Sequence, residues 1–317
     1  MCRSKFRVRG LLVAVLVVSQ LSCGEQKEKV ADPPMIRLMA ARNGTMPRED
    51  RNRIHVDIPI PSVYEASTGS ALDASGIPVL VQGRQASSIH NLRELLMEYG
   101  DPAKFPDGEK QLVTDGGPGR PISSCTVQIR CDREQDMGWI AVVLMACSMF
   151  PGEDRADILK FSPHIHRIEL AVDQGFVFEA DMPVDLPTIV EPPPVVEIAL
   201  RVPKEDRAIS AAARNVEVRC ARENVSLGTF KGLATTSTGD IALRPSPLSL
   251  GTELSRRIEE ADRVKKLDAV KLNCHSRVPF AYVIFIIDEA RHHRPIPIQF
   301  SGISGNLMKE MVEGWHK

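Results

Sequence analysis

The chain has 317 residues, enough for two ordinary domains. Its charge is nearly balanced, 40 Lys and Arg against 41 Asp and Glu, with the cations scattered, so no basic field points to nucleic acid. Aromatic residues make up 5%, too few for a platform on which single-stranded bases stack.

Arg3, Lys5, Arg7 and Arg9 precede the apolar run Leu11–Val18, which ends at Leu21-Ser22-Cys23-Gly24. Positive charge, a short apolar stretch and small residues describe an export signal over residues 1–23. The run is too short for a membrane span. Cys23 resembles the acylated cysteine of bacterial lipoproteins, and Ser22 fits the place before it. Gln20 and Leu21 stand where that pattern has Leu and a small residue. Lipidation at Cys23, simple cleavage and a short retained anchor are the alternatives. Residues 24–53 are polar and mixed and read as a tether. The glycosylation triplets at Asn43 and Asn224 carry no information in a bacterial setting.

Arg53–Ile58 alternates like a strand, stopped by Pro59 and Pro61, and Pro78–Gln82 is a second, with Gly83 as a turn. Ser87 or Ser88 caps a helix over Ile89–Tyr99, with Leu92, Leu95, Leu96 and Tyr99 on one face. Residues 101–124 read as a long Pro- and Gly-rich loop. Val127–Cys131 is a strand and Asp136 an N-cap. Residues 139–149 are apolar nearly all round, so a buried helix is expected, ended by Pro151-Gly152. Ile165–Val172 alternates again. Prolines at 183, 187, 192, 193 and 194 make 173–194 a stiff linker. Val195–Val202 and Val216–Cys220 are strands, residues 228–247 a loose segment, and Thr252–Val264 an amphipathic helix. Asp268–Asn273, Tyr282–Ala290 and Ile296–Phe300 follow as strand, helix and strand, before a tail at 304–317.

One ungapped shift, that taking Val127 to Val270, also puts Ile129 on Leu272, Cys131 on Cys274 and Trp139 on Tyr282. Apolar meets apolar, cysteine meets cysteine and aromatic meets aromatic, the mark of a duplicated unit. A strand, crossover helix and strand favours a parallel pair. The expected fold is therefore α+β or α/β: two tandem domains, residues 54–172 and 195–303, each with its own core and a mixed sheet carrying two helices on one face.

Val56-Asp57-Ile58-Pro59, the helix around Asn91–Glu98 and the strand Arg167–Val172 resemble the periplasmic domain of the ExbD/TolR family of biopolymer-transport proteins, once over about 56–172 and again over about 196–300. The resemblance implies an envelope protein beside a proton-driven motor, with domains that dimerise and contact peptidoglycan or a TonB-like partner. It also implies an aspartate in an N-terminal membrane helix, and Leu11–Val18 has no acidic residue, so the proton-coupling role does not carry over. What remains is the soluble half, present twice, imitating a dimer within one polypeptide.

Seven cysteines in an exported protein invite disulfides. Without Cys2 and Cys23 an odd set remains: Cys125, Cys131, Cys147, Cys220 and Cys274. Cys131 and Cys274 would pair only across a pseudo-twofold; buried thiols acting as small apolar residues are the favoured reading. His164 with His166, and the pair His292 and His293, lack a third metal ligand in the sequence. Gly116-Gly117-Pro118-Gly119 is a poor phosphate cradle, because its proline removes an amide donor. With no catalytic motif, the expectation is a non-catalytic binding protein with no cofactor and no metal, on the periplasmic side of the envelope. Its partners would be ExbB/TolQ-like or TonB-like proteins or peptidoglycan, with membrane attachment through Cys23 or a short anchor; self-association is left open. The alternatives are a cell-wall-binding structural lipoprotein without motor contact and an enzyme with a site between the two domains. Docking is expected at free sheet edges.

Overall fold

The structure is a computed structural model, and it describes residues 36–49, 51–72, 77–112, 120–148, 165–181, 194–221, 223–235, 241–243 and 247–300. The stretch expected as an export signal, with Cys2 and Cys23, and Gly116–Gly119, Pro151-Gly152, His164, the prolines from 183 to 193 and the tail lie outside the described residues.

The first repeat opens with β1 (Arg53–Ile58), α1 (Pro61–Thr68), β2 (Leu80–Val81) and β3 (Arg84–Gln85), and continues with α2 (Ile89–Gly100) and β4 (Pro106–Leu112). It closes with β5 (Arg120–Cys131), α3 (Met137–Ser148) and β6 (Ile165–Ala171), after which comes β7 (Val177–Asp181). The second repeat runs β8 (Val195–Arg201), β9 (Asn215–Cys220), β10 (Val225–Lys231), β11 (Leu233–Thr235), β12 (Ile241–Leu243), α4 (Pro247–Val264), β13 (Ala269–Cys274), α5 (Phe280–Ala290) and β14 (Ile298–Phe300).

The class is α+β. Each repeat builds the same five-strand order, β3-β2-β1-β5-β6 in one and β10-β9-β8-β13-β14 in the other. In each, the two strands joined by the last crossover helix lie parallel, β5 with β6 and β13 with β14. Helix packs on helix within each repeat, α2 on α3 and α4 on α5. Instead of standing as separate sheets, the repeats are joined into one twelve-stranded sheet. The joint is β7, antiparallel to β6 and parallel to β14. The segment expected as a linker thus begins as a shared strand. The apolar alternation Val177, Phe178, Ala180, all buried, explains why it joins the sheet. The two expected cores are likewise one, since buried side chains from Ile54 to Ile298 form a single contiguous cluster.

Local departures have local causes. Pro61 stops β1 but opens α1, because a fixed φ and a missing N–H suit the first helical position. Gln82 and Gly83 both have positive φ, which makes the turn expected at Gly83 a tight hairpin of β2 and β3, with a first strand shorter than expected. The long loop contains β4, paired antiparallel with the N-terminal part of β5. The loose segment holds the second part of β10, which starts before it at Val225, and the small hairpin of β11 with β12.

Residues 36–49 are no free tether. Thr45 and Val177 exchange backbone hydrogen bonds at 2.9 Å each way, and Asp173 N donates to Met39 O at 3.0 Å. Arg42 pairs with Asp288 and Glu289, and the amide of Asn43 donates to Asp288 at 2.7 Å. The segment therefore straps across β7 and reaches α5.

Candidate functional site

The turns that lead from β5 into α3 and from β13 into α5 are the same structure twice. Asp132 N donates to Ile58 O at 3.0 Å, and at the equivalent place His275 N donates to Leu200 O at 2.9 Å. Gln135 N donates to Asp132 O, and Val278 N to His275 O. The first amides of a helix have no partner inside it, and here each repeat supplies partners for the other. Met137 N donates to Val278 O and Phe280 N to Gln135 O, both at 2.8 Å. Gly138 N donates to Ser276 O at 2.8 Å and Ala281 N to Arg133 O at 2.9 Å. Contact i to j answered by j to i is the pattern of a two-fold interface, closed here within one chain. Asp136, expected as an N-cap, accepts from Arg214 at 2.5 Å and Arg277 at 3.1 Å. Arg214 is buried, so this pair ties β9 to the junction.

Beside these turns the repeats differ. In the first, Arg130 grips Asp57 on the neighbouring strand through two bonds of 2.5 Å. Asp132, fully buried, receives the Arg37 amide at 3.2 Å and its guanidinium at 3.0 and 2.9 Å. Arg37 also pairs with Glu134 at 3.0 Å, and its carbonyl accepts from Arg133 N at 2.9 Å. The end of the first repeat is filled by ion pairs and sealed by the strap.

In the second repeat, strand register places Ala199 beside Asn273 where the first has Asp57 beside Arg130. Without that ion pair a cleft of about 530 Å3 opens at the carboxyl ends of the parallel strands β8 and β13. The chain leaves β8 for the antiparallel β9 on one side and β13 for the parallel β14 on the other, so the connections diverge at these strand ends. Arg201, Lys204, Arg207 and His275 line it. The first three are exposed, and among the described residues none is in an ion pair. Among the described lining residues the one carboxylate is Glu217, bound to Arg219 at 2.7 Å; Glu205 and Asp206 follow Lys204 outside the lining, Asp206 accepting from Asn215 at 2.6 Å. In a chain with balanced charge this is a local cationic excess.

Cys125, Cys131, Cys147, Cys220 and Cys274 are all free and buried. Burial pushes the Cys147 and Cys274 thiols up to about 12 and raises Cys131 as well, so they stay protonated and act as apolar packing. His166 is buried in β6, and His293 lies 3.4 Å from Asp262 beside the end of α5. Among the described residues no three His, Cys, Asp or Glu gather as a metal site, and no helix is long and apolar enough to cross a membrane. Asn43 is tied to Asp288, and Asn224 makes the left-handed turn between β9 and β10, accepting from Arg219.

Sequence reasoning located the duplicated turn and missed Arg37, the Asp57–Arg130 pair and the cleft. A signal was available: the shift that aligns Cys131 with Cys274 also sets Asp132 on His275 and Glu134 on Arg277, removing the acid at both positions and placing a cation at the second.

No protein-family model matches the chain, and neither a curated protein nor a solved structure matches it.

Proposed function

We propose that this chain is a non-catalytic binding protein on the periplasmic side of a bacterial envelope, accessory to a proton-driven transport system of the ExbD/TolR kind. The reading is carried by the reciprocal junction between α3 and α5, which gives one polypeptide the two-fold contact expected of a pair of such domains. The buried acids are consistent with it, being engaged in cross-chain ties: Asp132 to Arg37, Asp57 to Arg130, Glu169 to Arg53. The test is photo-crosslinking in the native envelope from positions on the exposed face of α1. Adducts with a TolQ-like membrane protein are expected. Adducts with peptidoglycan fragments alone would favour the cell-wall-binding role instead.

A further inference from the structure

The strap on the first repeat shows how an extended segment reads this fold. It lays one side chain, Arg37, on a carboxylate at the first position of the turn after β5, and adds a backbone bond to Arg133. On the second repeat the turn is built the same way, but the position of Asp132 is His275 and that of Glu134 is Arg277. Arg201, Lys204 and Arg207 line the cleft beside it, following β8. A segment seated there must carry the opposite charge from Arg37.

We propose that the cleft at the carboxyl ends of β8 and β13 binds an extended, acidic stretch of polypeptide from a partner protein. Glutamate or aspartate side chains lie toward Arg201, Lys204 and Arg207, the exposed cations of the lining. The cleft is too large for a simple inorganic anion to fill and open enough to admit a chain passing through. Guanidinium groups are suited to this task, since their planar forks match a carboxylate with two parallel bonds. A second copy's strap is excluded as occupant by its own charge, because Arg37 would meet cations. The proposal rests on the chain being a binding protein, though not on which envelope complex it serves, so the crosslinking above and the titration below fail independently.

The test is fluorescence anisotropy with the whole exported chain at fixed ionic strength, using a labelled peptide of alternating glutamate and serine. Saturable binding is expected, with none for the glutamine–serine and lysine–serine peptides. Arg201→Glu with Arg207→Glu should weaken it at least about tenfold, a typical cost of reversing charges that meet a ligand. Lys204→Glu alone should weaken it less, and Lys104→Glu, an exposed reversal on the first repeat, should leave it unchanged. Unaltered melting temperatures check that the variants fold, and the single Lys204→Glu serves if the double does not. Equal binding of the glutamine peptide, or equal loss with Lys104→Glu, overturns the proposal. So does displacement by inorganic phosphate at concentrations where chloride has no effect, which would assign the cleft to a small anion.

Discussion

The ends of the two repeats have one backbone and two uses. At the first, Asp57 with Arg130 and Asp132 with Arg37 turn the position inward, so that the charges hold the fold together. At the second, Ala199 and Asn273 form no such pair, and Arg201, Lys204 and Arg207 are in no ion pair among the described residues. The turn hydrogen bonds are the same in both, so the difference lies in the side chains around the turn, in the strap, and in the segment that follows the first strand, helix α1 in one repeat and residues 202–214 in the other. Duplication supplied two equivalent ends, and only one is needed to fasten the N-terminal segment.

The comparison breaks most sharply at the aromatic position shared by α3 and α5. Tyr282 is fully buried and stacks on Phe230 with ring centroids 4.3 Å apart, while Trp139 is only half-buried. Burial also raises the Tyr282 hydroxyl above its usual range, so the ring stays neutral. Tyr282→Ala should cost about 3–5 kcal/mol, as for other large core truncations. Trp139→Ala should cost roughly 1–2 kcal/mol, within the ordinary spread for single substitutions. Denaturant unfolding of both measures the gap. Equal losses would mean that the repeats are not packed differently at their shared junction.

Sealing comes next. Arg37→Ala leaves Asp132 buried without its cation, a change that costs about 3–5 kcal/mol for fully buried pairs. Arg37 is 28% exposed, which reduces the expected loss to about 2 kcal/mol. Adding Asp132→Asn should recover part of it, because the orphaned charge is gone. If Arg37→Ala is neutral, the strap is not what closes the first repeat.

The duplicated unit was legible because it rests on alternation and apolar runs, which a sequence displays directly. β1, α2, β6, β8, β13 and α5 fall where periodicity puts them, and α4 ends there but starts at Pro247, before the expected Thr252. β7 was hidden by the prolines that follow it, and β4, β10, β11 and β12 by turn residues that punctuate short strands without abolishing them. The strap was read as a tether because Arg37, Arg42 and Asn43 are individually unremarkable surface residues, and their partners Asp132 and Asp288 lie far along the chain. A cleft made by a missing ion pair leaves no local mark. It shows only when one repeat is set against the other.

A smaller contrast separates α2 from α4. The first is fixed at its start by Ser88, whose hydroxyl accepts from Asn91 N at 3.0 Å, while Asn91 accepts in turn from Ser87 N at 3.1 Å. Ser88→Ala should cost about 1 kcal/mol, the usual worth of an N-cap. A neutral hydroxyl does not titrate here, so the loss should be the same at pH 7 and pH 3. A calorimetric scan at the two values checks it.

The second helix uses charge, and the smallest expected effect follows from that. Glu253 accepts from Arg256 at 2.8 Å and from Arg257 at 2.6 Å, and these bonds hold its carboxyl down at about 2. A carboxyl depressed in the folded state is protonated more readily in the unfolded one, so stability depends on pH through it. The contribution is complete above the ordinary glutamate value of 4.5 and fades as pH falls toward 2. Its size is small, because the pair is exposed and screened by salt. Glu253→Gln should therefore lower the melting temperature by less than Ser88→Ala at pH 7 and low salt. The deficit should shrink with added salt and vanish as pH approaches 2. A deficit independent of pH would mean that packing, and not the ion pairs, keeps α4 in place, and the two helices would then be fixed in the same way.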